Sequence, residues 1–240
     1  VDILCEVNPE FSQHVVYEGK AKVLYVRCNK AVYGCVMSGL LWYELFSSTL
    51  KTLGFKLNPY DTCVANATIE GTQCTVAWYV DDMKISHTNP AVVTKIITQL
   101  EQHFGKMTVT RGASHKFLGM HITYNKNQTA TIEMPGYIQS AIDSCGLPID
   151  TPRPNPATPQ LFTVHPLSQT LDHHRAATFH SIVAKLIYIA TRTRPDILPT
   201  LAFLCTRVTS PTTQDETKLQ HLLEYLYGTK HELFILGADS

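Results

Sequence analysis

Trp78-Tyr79-Val80-Asp81-Asp82-Met83 places two adjacent carboxylates between apolar, strand-forming residues. The surrounding run from Cys74 to Ile85 is rich in Val, Trp, Tyr and Ile and reads as the two strands of a hairpin with the acids at its tip. Neither Gly nor Asn is present there to make an ordinary two-residue turn. Successive strand side chains point to opposite faces, so the tip must bend for both carboxylates to serve one site. Like charges this close repel each other unless a cation lies between them. A hard divalent ion such as Mg²⁺ suits one or two carboxylates together with substrate phosphates. Two such ions about 3.5–4 Å apart activate an attacking hydroxyl and stabilise a leaving oxygen in phosphoryl transfer. The plainer reading is a solvated hairpin turn that happens to be acidic.

Outward from the hairpin, helices and strands interleave. Leu41, Trp42, Leu45, Phe46, Leu50 and Leu53 recur at helical spacing, and Gly54 supplies a stop. Asn89 and Pro90 open a second helix with the apolar face Val92, Val93, Ile96, Ile97, Leu100 and Phe104, ended by Gly105. Lys116–Tyr124 and Thr129–Met134 flank the turn Asn125–Gln128 and read as a second hairpin. This alternation predicts one sheet with helices behind it. Six prolines between Pro148 and Pro166 exclude a helix or central strand there and predict an extended surface connector, which marks the main boundary. Beyond it the pattern is helical. Phe179, Ile182, Val183, Leu186, Ile187 and Ala190 form one stripe, and Pro199 opens another with Leu201, Phe203, Leu204 and Val208. Thr213–Glu216 reads as a capping box before Leu219, Leu222, Leu223 and Leu226, and Gly228 closes that helix.

Composition narrows the function classes. The 240 residues are 44% hydrophobic, which excludes extended disorder. Lys plus Arg equals Asp plus Glu at 20 each, which excludes nucleic-acid binding driven by net charge alone. No apolar run approaches the length of a membrane span, and no charged n-region leads into an apolar h-region, so no signal peptide is expected here. The seven cysteines form no CxxC pair and read as reduced, mostly buried thiols. The eleven histidines are scattered; the His173, His174, His180 set has no accompanying ligands. Three acid-free basic stretches remain: Lys20, Lys22, Arg27 and Lys30; Lys106, Arg111, Lys116 and Lys126; and Arg175, Lys185, Arg192 and Arg194. They form either solvated faces or, gathered by the fold, a groove that tracks phosphates.

Tyr79-Val80-Asp81-Asp82 resembles the YxDD motif of reverse transcriptases, and its surroundings are similar to the copia-type retrotransposon branch. Lys30-Ala31-Val32-Tyr33-Gly34 followed by Trp42-Tyr43 resembles that family's K-A-L-Y-G…W-Y segment. Leu53-Gly54-Phe55 and Asp61-Thr62-Cys63 resemble its L-G-F and D-x-C landmarks, and Phe117-Leu118-Gly119 resembles the F-L-G segment that the family places at the primer grip, all in the family's order. Leu186-Ile187-Tyr188 with Thr193-Arg194-Pro195-Asp196-Ile197, and then Tyr225-Leu226-Tyr227-Gly228-Thr229, are similar to its later signatures.

The resemblance implies an α+β fold: a right-hand polymerase palm, with an antiparallel sheet and helices behind it, plus a helical thumb or connection. Residues 1–60 would be partial fingers and palm, 61–147 palm, 148–166 the connector and 167–240 thumb or connection. It implies RNA-directed DNA synthesis on an RNA or DNA template with a primer and dNTP, using two Mg²⁺ or Mn²⁺ ions. Asp81 would be a metal ligand and Asp82 an assisting one. Tyr79, Val80, Gly34 and Met37 would lie near the primer or nucleotide, and Phe117, Leu118 and Gly119 would position the primer. Lys106, Arg111, Lys116, Lys185, Arg192 and Arg194 would hold the nucleic-acid backbone. The rest of a Pol polyprotein, with RNase H downstream, would be the partner, in an intracellular, cytoplasmic setting and a virus-like particle.

Two departures stand against the family pattern. The family's earlier catalytic aspartate has no match; Asn8-Pro9-Glu10-Phe11 resembles the segment that follows it, so that aspartate is expected upstream of Val1. Met37 stands where the family has a Gln, and Met cannot donate a hydrogen bond. The competing readings are a catalytically dead nucleic-acid-binding remnant, and an unrelated phosphohydrolase that would recruit His87 and Asp61.

Overall fold

The structure is a computed structural model and describes residues 1–27, 29–32 and 34–237. Cys28, Tyr33 of the Lys30–Gly34 landmark, and residues 238–240 at the end of the 167–240 span lie outside the described residues. The fold is α+β, and every strand pairing among the described residues is antiparallel. The chain forms two compact units, Val1–His103 and Phe104 onward. This division differs from the boundary that proline density suggests, because the proline-rich stretch packs inside the second unit.

The first unit begins with α1 (Asp2–Val7), a short 3-10 turn and a ribbon of β1 (Val15–Glu18) and β2 (Ala21–Leu24). α2 (Val36–Thr52) follows and ends before Gly54, whose φ of +90° suits only glycine well. β3 (Lys56–Leu57), β4 (Val64–Ile69), β5 (Thr72–Tyr79) and β6 (Asp82–Ser86) form a sheet in that order. α3 (Pro90–Phe104) completes the unit; Asn89 caps it by accepting from the Ala91 amide at 2.9 Å. Cys74, Val76 and Trp78 are the buried alternate residues of β5. Against them α2 sets Phe46, whose ring meets Trp78 edge-on at 5.1 Å. Leu41 and Leu45 share the helical spacing but stay exposed, because the apolar stripe of α2 is wider than the face it buries. Ser47 and Thr49 are buried instead, their hydroxyls donating to the carbonyls of Glu44 and Leu45.

In the second unit, β7 (Ser114–Phe117), β8 (Met120–Tyr124) and β9 (Ala130–Glu133) form a meander, and α4 (Pro135–Asp143) follows. The segment Lys116–Tyr124 is therefore two strands with a turn at Leu118-Gly119, not one strand. The expectation of a single sheet is corrected too. This second hairpin forms its own sheet, ordered β10-β9-β8-β7, and recruits β10 (Phe234–Leu236) from the far end of the chain.

α5 (His173–Ala190), α6 (Leu198–Cys205) and α7 (Thr213–Gly228) pack with α4 around Ile138, Phe179, Leu186, Leu204 and Leu222. Ile189, rather than Ile187, completes the α5 stripe; Ile187 faces outward. The capping box sits one residue earlier than the spacing suggested. Thr212 is the cap, and Asp215 returns the bond to its amide at 2.9 Å. The proline-rich strap has neither helix nor strand and is pinned along α7. Arg153 pairs with Glu224 at 2.6 Å, Gln220 donates to the Pro148 carbonyl, and His221 meets the Asn155 carbonyl. A Cβ on Gly228 would come within 2.9 Å of the Pro152 side chain, so the close approach of the strap explains that glycine. Among the described residues no helix is long and apolar enough to cross a membrane.

Candidate active site

The acidic hairpin turns in two residues despite lacking Gly or Asn. Tyr79 pairs with Asp82, leaving Val80 and Asp81 as the loop. Val80 supplies the bend, at a φ of +54°. A β-branched side chain rarely adopts that region, and strain of this kind must be held by its surroundings. The holder is Trp42 of α2, whose Nε1–H donates to the Val80 carbonyl at 2.5 Å. Trp42 in turn stacks on Phe46 with ring centroids 5.5 Å apart, and Phe46 rests on Trp78. An aromatic wedge thus ties the helix to the turn from beneath.

Strand alternation sorts the side chains. Trp78 points into the core, so Tyr79 and its cross-strand partner Asp82 share the opposite, exposed face. Asp81 sits in the turn itself, also exposed. Among the described residues neither carboxylate has a hydrogen-bond or ion-pair partner. Two exposed oxygen donors of this kind fit a hard divalent cation that takes its remaining oxygens from phosphate and water. No group of three or more His, Cys, Asp and Glu able to hold a metal is found among the described residues. His87 and Asp61 do not extend the set. His87 contacts the Ile69 carbonyl and accepts from the Asn89 amide, and Asp61 accepts from the Cys63 amide. Gly34, at φ +89°, and Met37, exposed in the first turn of α2, belong to the same unit as the hairpin.

Phe117, Leu118 and Gly119 fall in the second unit, at the β7–β8 turn. Leu118 and Gly119 form the two-residue loop with φ of +52° and +75°. The Tyr188 hydroxyl of α5 donates to the Leu118 carbonyl at 2.6 Å. The Arg192 guanidinium stacks 3.7 Å above the Tyr188 ring centroid. Lys116 is exposed beside the turn, and Lys185 of α5 donates to Ser144 at 2.7 Å. Lys106 and Arg111 are exposed on the segment between α3 and β7.

Arg194 is corrected out of the backbone-binding set because it is buried and saturated. It donates to both carboxylate oxygens of Asp196 at 3.0 and 2.8 Å, and to the Thr229 carbonyl and hydroxyl. Tyr225 donates to Asp196 at 2.7 Å. Burial alone would push the Asp196 carboxyl up; the Arg194 and Tyr225 hydrogen bonds and the Arg194 charge outweigh it and hold the carboxyl below its ordinary range. The Thr193–Ile197 signature is thus a brace between the end of α5 and the end of α7.

Sequence reasoning noted Trp42 and Tyr188 as landmarks and missed what they do. Each reaches a turn far along the chain, by 38 and 70 residues, and no local pattern encodes such a pairing.

Residues 12–159 match the family described as reverse transcriptase (RNA-dependent DNA polymerase). The chain is 25% identical to a transposon Ty5-1 protein of Saccharomyces cerevisiae over 201 residues, covering 83% of this chain and 63% of that protein. It is 22% identical over 244 residues to the retrovirus-related Pol polyprotein from transposon TNT 1-94 of Nicotiana tabacum, covering 99% of this chain and 18% of the polyprotein. The transposon Ty1-BR Gag-Pol polyprotein of Saccharomyces cerevisiae is 23% identical over 225 residues, 88% of this chain and 12% of that polyprotein. The chain thus spans less than two thirds of each of these relatives. No solved structure matches it significantly. The family match covers more than half of the chain and includes both turns, and the chain therefore belongs to the reverse transcriptase family, in its copia-type retrotransposon branch.

Proposed function

We propose that this chain carries the YxDD half of a polymerase centre that copies RNA into DNA by attack of a primer 3′-hydroxyl on the α-phosphate of a dNTP, with release of pyrophosphate. The observation that carries this reading is the pair of exposed, unpartnered carboxylates on a strained turn braced by Trp42. Reverse transcriptases generally use divalent metals. A bound divalent ion, Mg²⁺ or Mn²⁺, supplies positive charge that acidifies the primer hydroxyl and neutralises the phosphate. Asp81 would hold it, Asp82 would assist from the Tyr79 face, and a further carboxylate would come from polypeptide outside these strands.

Tyr79 and Val80 would sit by the primer terminus, and Gly34 and Met37 by the incoming nucleotide. The Phe117-Leu118-Gly119 turn would position the primer. Lys106, Arg111, Lys116, Lys185 and Arg192 would take the backbone phosphates, so that affinity falls steeply with salt. In this reading residues 1–60 supply part of the fingers and palm, 61–147 palm, and 167–240 thumb or connection, joined by the 148–166 strap. The chain would work inside the cell as one segment of a Pol polyprotein, in a virus-like particle.

The test is primer extension on an RNA template with a DNA primer, with Mg²⁺ or Mn²⁺, beside an Asp81→Asn control. The chain is assayed alone and fused behind the upstream polymerase segment of a copia-type Pol polyprotein. Extension in either form that Asp81→Asn abolishes supports the reading. Tight, salt-sensitive binding without extension in both forms would favour the remnant that binds and does not polymerise.

A further inference from the structure

We infer that Tyr188 is a positioning residue that locks the Leu118-Gly119 turn and the Arg192 guanidinium into one unit facing a nucleic-acid strand. The inference rests on the reading above, in which that turn and Arg192 meet nucleic acid. Tyr188 works at two ends. Its hydroxyl donates to the Leu118 carbonyl at 2.6 Å, fixing a residue held at a φ of +52°, where leucine is rarely found. Its ring face carries Arg192, whose Nη1 also donates to the Tyr188 carbonyl at 3.4 Å and to the Thr191 hydroxyl at 3.1 Å. The Tyr137 ring lies 5.1 Å from the Tyr188 ring, and a Cβ added to Gly119 would touch Tyr137 and Met134 at 3.5 Å. The turn therefore rests on packed side chains, and Tyr188 adds a polar anchor from α5. Lys185 stands three residues before Tyr188 on the same side of the helix.

The experiment compares the chain with Tyr188→Phe, Arg192→Gln and Lys116→Gln. Two readouts are taken: amide hydrogen exchange over residues 114–124, and anisotropy of a labelled DNA primer annealed to an RNA template, titrated across salt. Tyr188→Phe keeps the ring and its stacking and removes only the donor. Its exchange over 114–124 is expected to quicken. Its affinity should fall about three- to tenfold, the worth of one hydrogen bond, with the salt slope unchanged. Arg192→Gln and Lys116→Gln are expected to lower the slope by about one each. Unchanged exchange in Tyr188→Phe would overturn the anchor. Faster exchange at unaltered affinity, while Arg192→Gln still weakens binding, would overturn the positioning role. If neither charge variant moves affinity or slope, or the parent chain does not bind the primer–template, the reading of this face fails. That failure is separable, because exchange reports on the turn without nucleic acid.

Discussion

Two of the hairpin tips in this chain, Val80-Asp81 and Leu118-Gly119, share one backbone device and differ in the groups they present. Each is a two-residue turn whose first residue is bulky and left-handed, Val80 at +54° and Leu118 at +52°. Each offers its carbonyl to an aromatic N–H or O–H from a helix, Trp42 for the first and Tyr188 for the second. Beyond that the surroundings diverge. The first tip presents two bare carboxylates over an aromatic wedge. The second presents a glycine flanked by tyrosines, with Arg192 and Lys116 nearby. In the proposed reading one tip takes a cation and the other an anionic strand, so the contrast lies in charge, not in backbone. The shared device makes geometric sense: a tip meant to place a group cannot be left to the conformations its own residues prefer.

Asp81→Asn is the largest expected break in that contrast, because it removes one of the two charges that distinguish the first tip. Extension is expected to fall by at least on the order of 100-fold, since even outer partners of metal ligands cost 10- to 100-fold. Binding of primer–template at the second tip should persist. A variant that extends normally would leave the first tip an acidic turn and nothing more.

The brace at the end of α5, the helix that carries Tyr188, comes next. Asp196→Ala removes the bidentate carboxylate of the buried Arg194 guanidinium, which keeps its Thr229 bonds and Glu232 at 3.8 Å, and is expected to cost about 2 kcal/mol, the range for a lost charge-assisted hydrogen bond. The folded carboxyl lies below its ordinary value of 3.8, so its contribution is fully present above that value. It is lost as pH falls through the lower folded value. Melting of the parent chain should therefore hold through mildly acidic pH and drop below about pH 4, whereas Asp196→Ala loses that part of the acid dependence. Hydrogen exchange should quicken at the β7–β8 turn, with the Trp42-held tip as the internal comparison.

Trp42→Phe tests the first anchor with a smaller effect. The ring still stacks on Phe46 but donates nothing, so Val80 loses its holder. Extension is expected to fall about three- to tenfold with little change in melting temperature. An unaltered rate would mean that the turn keeps its shape without the indole.

What the sequence made legible follows from range. Periodicity marked α2, α3, α5 and α7, glycines marked the ends of α2, α3 and α7, and the acidic pair stood out between β-formers. The single-strand reading of Lys116–Tyr124 failed because Leu118 adopts a conformation that its identity argues against, and only Gly119 hinted at a turn. The basic pattern counted Arg194 among surface cations because burial is not written in a charge run. Its partners Asp196, Thr229 and Tyr225 come together only once α5 and α7 pack. The anchors Trp42 and Tyr188 were invisible for the same reason.

The smallest expected effects sharpen the comparison most. Asn accepts positive φ with less strain than other non-glycine residues, so Leu118→Asn and Val80→Asn should each stabilise the chain if the strain is borne only by local geometry. The gain should be about 0.5–1 kcal/mol for Leu118 and more for Val80, whose branched Cβ clashes harder in that region. Thermal melts read the stability, and primer–template affinity and extension read the function. If Val80→Asn melts higher but extends more slowly, the strain is coupled to the chemistry at the first tip. If Leu118→Asn melts higher while Val80→Asn does not and binding is unchanged, the second tip is held by its packing and by Tyr188, not by the leucine side chain. Equal stabilisation with no functional cost at either position would show that the two turns share a backbone shape without either one depending on it.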